Sequence, residues 1–449
     1  MDSASHIIAA MRDAAPGGLS SLDQPALGRL RALTRSLQAA SPAAGDEYAR
    51  FLAIGDRELT LPPGAVSGWL AGRKVLVTGG TGCVGSVLMR LLAAARPARL
   101  VSVSRGITAG WPRQPGADYI RADVRDLPGL AGVIASVQPD VLFHLAAQRD
   151  PGLAEREVHR TVTTNVLGTR NVIAAAERCA VPRVVYASTG KALRPYTPDT
   201  YAASKRAAEW LLAAAAVRGG CYGAARFTHV VDNSIIHEKL LGWAGAGVLR
   251  LHAADIMFYA QSALESAQLL LSAGLGAAPG SFLVQAITDL GWPVCLLDLA
   301  LGVLAGTGSA AAIYFSGYDP GYEDMPFPGL YDPRTAGGVS PLLSALEAVR
   351  AQQAACGAVD AFPLAFAPDP EPDKLLLALE ETCELTQEPD AIRAALDALT
   401  WSLLTATLRT APADVLARAA ARAAKHRDRL NLASRRMLAA IEDHALGTS

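Results

Sequence analysis

Apolar and polar positions change their rhythm along the chain. Through residues 1–70, Leu27, Leu30, Leu33 and Leu37 recur every three or four positions, which places them on one face of a helix. Pro62-Pro63-Gly64 then punctuates the entry to the next segment. From Lys74 short apolar runs take over: Val75–Thr78, Leu100–Ser104, Val141–Leu145, Val184–Ser188 and Ala224–Phe227, each separated by a stretch of helical rhythm. Such alternation predicts a parallel sheet covered by helices on both faces. Beyond about Gly220 the alternation loosens. The Gly/Pro-rich stretch Gly317–Pro341 predicts a loop over a cleft, and Pro368-Asp369-Pro370-Glu371-Pro372-Asp373 predicts a linker. The C-terminal stretch is helical again, and Arg418, Arg422, Lys425, Arg427 and Arg429 read as a solvated face. The expected organisation is a helical extension (1–70), a doubly wound α/β core (71–220), a smaller substrate-binding part interleaved with the last strands (221–345), and a second helical extension (346–449).

Composition narrows this picture. Of 449 residues, 51% are hydrophobic and the net charge is -1, which supports a large core and argues against disorder. The same balance removes the electrostatic case for nucleic acid or an anionic membrane as partner. Six cysteines stand singly with no CxxC pair, a pattern of reduced thiols rather than a disulfide framework or zinc site. Asp2 and Asp13 near the start predict no signal peptide. Val294–Phe315, the longest apolar stretch, is broken by Asp298 and glycines, so it falls short of the roughly 20 residues of a spanning helix. A soluble, cytoplasmic protein is expected.

The sharpest chemical signal is Lys74-Val75-Leu76-Val77-Thr78-Gly79-Gly80-Thr81-Gly82-Cys83-Val84-Gly85. A buried strand runs into Gly79, Gly82 and Gly85, and an apolar helix (Val87, Leu88, Leu91, Leu92) follows. Glycine there permits a tight reversal, close approach of backbone to a pyrophosphate, and close helix–strand packing; the helix N-terminus offers N–H groups to the phosphates. In this strand–turn–helix context the triplet predicts a Rossmann-type dinucleotide site. The next strand ends at Ser104-Arg105, where an arginine in place of an acid favours NADP over NAD.

Tyr201-Ala202-Ala203-Ser204-Lys205 sets a phenol and an ammonium one above the other on a helix. A nearby cation would lower the tyrosine pKa, so that Tyr201 exchanges protons near neutrality, and Lys205 could hold the nicotinamide ribose. The preceding strand ends in Ser188 and Thr189, whose hydroxyls are candidates to bind the substrate oxygen. His144 closes an apolar strand and reads as a hydrogen-bonded core histidine. His229, His237 and Glu238 have no standard ligand spacing, so no metal is expected.

Taken together, these segments resemble the extended short-chain dehydrogenase/reductases, and more narrowly the CapD-like polysaccharide-biosynthesis family of nucleotide-sugar 4,6-dehydratases and epimerases. The resemblance spans roughly Lys74 to Ala300 and rests on Tyr119–Asp126 (YIRADVRD), Val141–Ala147 (VLFHLAA), Thr164–Ile173 (TNVLGTRNVI), Ser188–Lys191 (STGK), Tyr201–Glu209 (YAASKRAAE) and Pro293–Ala300 (PVCLLDLA). It implies a tightly bound NADP or NAD lying against Gly79, Gly82, Cys83, Val84, Gly85, Ser104, Arg105, Asp123, Val124, Leu145, Ala146, Ala147, Asn165, Tyr201 and Lys205. Asp123 would contact the adenine, Ala146 would line the cofactor, and Asn165 would support the site. It also implies catalysis by Tyr201, Lys205, Lys191, Thr189 and Ser188, with Lys191 as the base at sugar C5 and Lys205 as the neighbour that lowers its pKa. A sugar or nucleotide-sugar substrate and a homo-oligomer are expected on the same ground.

The chain departs from that family at three places. Gly190 stands where the family has an aspartate that protonates the leaving 6-hydroxyl. Arg226-Phe227-Thr228-His229 replaces Arg-Phe-Gly-Asn. Met257 and Asp319 stand where arginines suited to a nucleotide diphosphate would be. Three readings stay open: an epimerase or dehydratase working through a transient 4-ketone, a net NADP-dependent dehydrogenase or reductase on a non-nucleotide substrate, and a non-catalytic dinucleotide-binding regulatory or scaffold protein.

Overall fold

The apolar runs become the strands of one sheet. In the computed structural model, which describes residues 3–106, 113–318, 328–330 and 338–447, seven parallel strands lie in the order Asp118–Arg121, Arg99–Ser104, Lys74–Thr78, Val141–His144, Arg183–Thr189, Tyr222–Phe227 and Phe282–Ile287. Val75 to Val77 are fully buried, as expected of a strand covered on both faces. Chain order therefore runs outward in both directions from Lys74–Thr78. It reverses between that strand and Val141–His144, the switch point at which doubly wound sheets bind ligands. Register places Thr78 beside Val103 on one side and His144 on the other.

Two strands beyond the parallel set come from the part expected to be a helical extension. Val359–Pro363 pairs antiparallel with Phe282–Ile287, and Gln352–Gln353 pairs antiparallel with Val359–Pro363. Continuous helix begins only at Glu371–Leu385. Its start overturns the linker reading of Pro368–Asp373: Pro372 sits in the first turn, where its missing N–H costs nothing, and Asp369 accepts the Glu371 N–H at 2.9 Å. Of the stretch read as a loop over a cleft, residues 319–327 and 331–337 lie outside the described residues.

The chain divides into two compact units that cut across its linear segments. The larger comprises Glu58–Thr228, Leu264–Asp289 and Asp324–Ser449, and contains the sheet. The smaller comprises Met1–Arg57, His229–Ala263 and Leu290–Glu323. In it the leucine stripe of Gln24–Ala40 buries Leu30 and Leu37 with Phe51, Leu249, Leu299 and Tyr314. The N-terminal helices thus share one core with segments from the expected substrate-binding part.

Inside the larger unit four charged side chains are buried together: Arg206 and Glu209 of the helix Thr200–Val217, Arg226 of the neighbouring strand, and Glu347. Arg226 donates to both Glu209 oxygens at 2.8 and 2.9 Å and to both Glu347 oxygens at 2.8 Å. Arg206 donates to Glu347 at 3.2 Å and to the Thr407 hydroxyl at 3.1 Å. Two cations balance two anions, which is what permits burial; removing one partner of such a set costs about 3–5 kcal/mol.

Candidate functional site

At the C-terminal end of the first strand, sterics explain each glycine that matters. Gly79 turns with φ +78°, and a Cβ there would lie 2.8 Å from the Ala146 nitrogen. A Cβ on Gly85 would lie 2.2 Å from the Gly79 carbonyl oxygen. Gly82 is the extended cap of the helix Cys83–Ala94 and donates its N–H to Gly79 at 3.1 Å. The first-turn N–H groups of that helix, from Cys83 onward, have no acceptor within it. The result is a bare backbone cradle at the switch point, the shape and polarity a pyrophosphate requires.

The strands beside the cradle carry the other expected cofactor positions. Leu145 donates its N–H to the Thr78 carbonyl at 3.0 Å, and Ala146 to the Thr78 hydroxyl at 3.3 Å, so Leu145–Ala147 are held against the glycine turn. Asn165 lies in a π-helical turn, Thr163–Leu167. It accepts the Gln148 N–H at 2.8 Å, and its amide donates to the Gln148 carbonyl and the Ser204 hydroxyl, each at 3.1 Å. It therefore ties the segment after Ala147 to the helix bearing Tyr201. Ser104 bonds its hydroxyl to the Gly106 carbonyl at 2.8 Å. Arg105 is exposed; partial burial and the neighbouring Arg160 hold its guanidinium below the usual range, with Asp123 opposing. Asp123 is paired with Arg125 at 2.6 Å, and Val124 is buried against Gly168.

The second group forms where Arg183–Thr189 ends. Alternation along the strand sends Ser188 and Thr189 to opposite faces. Ser188 donates to the buried Glu209 at 2.6 Å, so the expectation that it meets substrate is corrected: it belongs to the charged cluster. Thr189 lies close enough to the Tyr201 hydroxyl to work against the rise that burial imposes on its pKa. Lys191 pairs with Asp199 at 3.4 Å, and Asp199 also caps the helix by accepting the Ala202 N–H at 2.9 Å. Thr189, Lys191 and Tyr201 are thus brought together by one strand end, one short turn and one helix start.

Lys205 departs from expectation. Its ammonium donates to the Ala187 carbonyl at 2.7 Å and lies over the Tyr186 ring, 4.3 Å from the centroid. Burial pulls its pKa down to about 7, with Glu209 opposing. Burial pushes the Tyr201 hydroxyl up to about 12, with Thr189 working against it. Lys205 does not offset that rise, since burial makes the lysine itself lose its charge well below the range in which the phenol ionises. Lys191, for its part, forms an ion pair with Asp199.

At the missing acid, Gly190 proves to be packed. A Cβ there would meet Cδ2 of Leu342 at 2.7 Å and the Phe227 carbonyl oxygen at 3.3 Å. The space a side chain at position 190 would enter is filled by a buried leucine.

Other candidates resolve as structural. His144 is fully buried, bridging the Thr78 hydroxyl at 2.8 Å and the Thr169 hydroxyl at 3.1 Å, and burial takes its pKa down to about 3. In the smaller unit His229 bonds the Ser234 hydroxyl at 2.6 Å and His237 the Tyr48 hydroxyl at 3.1 Å. Met257 is exposed, and Asp319 lies outside the described residues. Among the described residues no helix is long and apolar enough to cross a membrane. Sequence reasoning missed Asp199 and Tyr186. The first was legible as an aspartate one residue before a helix; nothing in the run Arg183–Thr189 marks the second.

Against known proteins, residues 75–325 match the family described as polysaccharide biosynthesis protein, more than half of the chain. This chain belongs to that family. The polysaccharide biosynthesis proteins most similar to it include the probable polysaccharide biosynthesis protein EpsC of Bacillus subtilis, 27% identical over 293 residues, covering 61% of this chain and 48% of EpsC. The UDP-N-acetylglucosamine 4,6-dehydratase (inverting) of Campylobacter jejuni is 30% identical over 171 residues, 36% of this chain and 50% of that one. The chain thus spans about half the length of the curated relatives it matches. Among solved structures, Pen from Bacillus thuringiensis superposes with a TM-score of 0.56 at 21% identity, covering 67% of this chain and 90% of that one, and shares the fold.

Proposed function

We propose that this polysaccharide biosynthesis protein is an NAD(P)-dependent sugar epimerase, acting on a sugar carried by a nucleotide, that oxidises C4 transiently and inverts C5 without losing water. The observation that carries the choice between epimerisation and dehydration is the packed Gly190. Expelling the 6-hydroxyl needs a proton donor at the leaving oxygen, and the site has Leu342 where a side chain at 190 would stand. The glycine cradle fits a dinucleotide diphosphate, and the 4,6-dehydratase relative supports a nucleotide sugar.

When bound, the nicotinamide supplies the hydride acceptor and donor at C4. The protein's own residues handle protons. Tyr201, beside Thr189, is the group placed to receive the proton of the C4 hydroxyl and later return it, a step that requires its phenol first to ionise against the effect of burial. A C4 ketone acidifies the adjacent C5–H, so a modest base suffices there. Lys191 is that base once it has parted from Asp199 and given its proton to solvent, since the ion pair holds an ammonium. Return of a proton from solvent to the face of C5 away from Lys191 gives the epimer, Lys191 passing the abstracted proton to water, and the C6 hydroxyl stays in place.

The test is mass spectrometry of the protein with NADP or NAD, a panel of nucleotide sugars and free sugars, and D2O as solvent. One deuterium gained without loss of water, with catalytic amounts of dinucleotide, is the expected result. Tyr201→Phe should reduce that uptake about 10²–10⁴-fold, the usual worth of a positioned acid–base group. A product lighter by one water would overturn the assignment. Dinucleotide consumed in step with substrate would make the protein a net oxidoreductase instead.

A further inference from the structure

The turn that holds Lys191 is fastened by residues from far along the chain. Between Gly190 and Tyr201 two of its contacts lead to the helix Pro389–Leu408, one directly and one through Glu155. In the first, the Tyr196 hydroxyl donates to Asp397 at 2.5 Å. The Tyr196 ring, itself buried, meets Trp401 edge-on with centroids 4.9 Å apart. Arg436, from the helix Leu432–Ala445, lies 3.7 Å over the Trp401 ring and 3.5 Å from Asp397. Burial and the Asp397 carboxylate both raise the Tyr196 pKa, so the phenol stays protonated and donates.

In the second contact, Glu155 accepts the Thr200 N–H at 2.7 Å and its hydroxyl at 2.9 Å. Arg393 holds that glutamate from behind, reaching its carboxylate at 3.3 Å and its backbone carbonyl at 2.5 Å. Thr200 is the residue before Tyr201, and Asp199, the partner of Lys191, precedes Thr200. One helix therefore pins the turn at its middle and at the residue adjoining the candidate acid–base tyrosine. The anchors Arg393, Asp397, Trp401 and Arg436 all lie beyond residues 75–325, the stretch that matches the family.

We infer that the C-terminal helices position the reacting groups, with Tyr196 and Asp397 as positioning residues that set Lys191 against Tyr201. The inference rests on the proposed roles of those two residues. Displacements of about 1 Å in such a constellation cost orders of magnitude in rate, so the brace should act on turnover far more than on binding. The physical cause is local. The turn opens with a single 3-10 turn, Gly190–Leu193, whose Ala192 carbonyl accepts from Arg226 at 3.4 Å, and beyond it the Tyr196–Asp397 bond ties the turn to the C-terminal helices.

The test compares full-length wild type, Tyr196→Phe and Asp397→Asn. Tyr196→Phe keeps the ring against Trp401 and removes only the hydrogen bond; Asp397→Asn keeps an oxygen that can accept it. Expected for Tyr196→Phe are faster deuterium exchange of backbone amides in 189–201 and a kcat at least about tenfold lower. KM, dinucleotide affinity and Tm should change little, and Asp397→Asn should retain most of the wild-type kcat. Unchanged exchange and kcat would overturn the inference. So would a parallel fall of Tm, dinucleotide affinity and kcat, which is the signature of a merely structural contact. If wild type turns over no sugar, the proposed function fails on its own, and faster exchange confined to 189–201 in Tyr196→Phe still upholds the brace.

Discussion

Gly85 and Gly190 follow two different parallel strands of the same sheet, and at each a Cβ would come within 3 Å of another atom. They are packed against different things. At Gly85 the obstacle is backbone, the Gly79 carbonyl oxygen at 2.2 Å, so the geometry of the turn itself forbids any other residue. At Gly190 the nearest obstacle is the tip of a side chain, Leu342 at 2.7 Å. One glycine is imposed by the backbone around it, and the other only by a leucine side chain that could shift. The two look alike as letters, and only the identity of the obstructing atom separates them.

The largest effect should come from testing the first glycine. Gly85→Ala is expected to weaken dinucleotide affinity at least about 100-fold, roughly 2.7 kcal/mol, in a fluorescence titration. Unchanged affinity would mean that the cradle is not the cofactor seat, and the comparison would collapse.

A smaller effect tests the second. Gly190→Asp should lower stability by about 1–3 kcal/mol, the usual cost of overpacking, as read by denaturant unfolding. Leu342→Ala should cost less in the Gly190→Asp background than in wild type, because the two positions compete for one space. Only the paired variant should release a product lighter by one water. Water loss by Gly190→Asp alone, at no cost in stability, would show that Leu342 does not guard the position.

The smallest effect concerns Lys205, on the helix that serves both loops. Its pKa falls from 10.5 to about 7 on burial. Between those values the native state binds fewer protons than the unfolded one, so this residue makes stability rise with pH, by at most about 1.4 kcal/mol per unit. The contribution is complete above the unfolded pKa and is lost as pH falls toward 7. Lys205→Met should flatten that slope in unfolding curves taken from pH 7 to pH 9. An unaltered slope would mean that Lys205 stays charged in the folded protein.

Much of this was readable from the letters. The first strand, the glycine turn and the Tyr201–Lys205 pair were legible because each depends on a few neighbouring residues whose steric demands are local. The edge strand Val359–Pro363 was not legible: its pairing is settled by Phe282–Ile287, far away in sequence. Pro368–Asp373 misled for a related reason, since prolines punctuate linkers and helix starts alike, and only the continuation decides. Ser188 and Thr189 are adjacent letters with similar side chains, yet the pleat sends one to Glu209 and the other to Tyr201. Gly190 departs from the aspartate that the resemblance implies, but Leu342, which packs on it, lies about 150 residues away and carries no signal of its own.

The buried charge cluster has a consequence for synthesis. Arg206, Glu209 and Arg226 leave the ribosome well before Glu347, and until that glutamate arrives two guanidinium groups face a single carboxylate. An interior with one excess positive charge cannot close cheaply. The central strands must therefore wait, partly open to water, for the latter part of the chain. A chain lacking Glu347 would hold two buried guanidinium groups against the single carboxylate of Glu209.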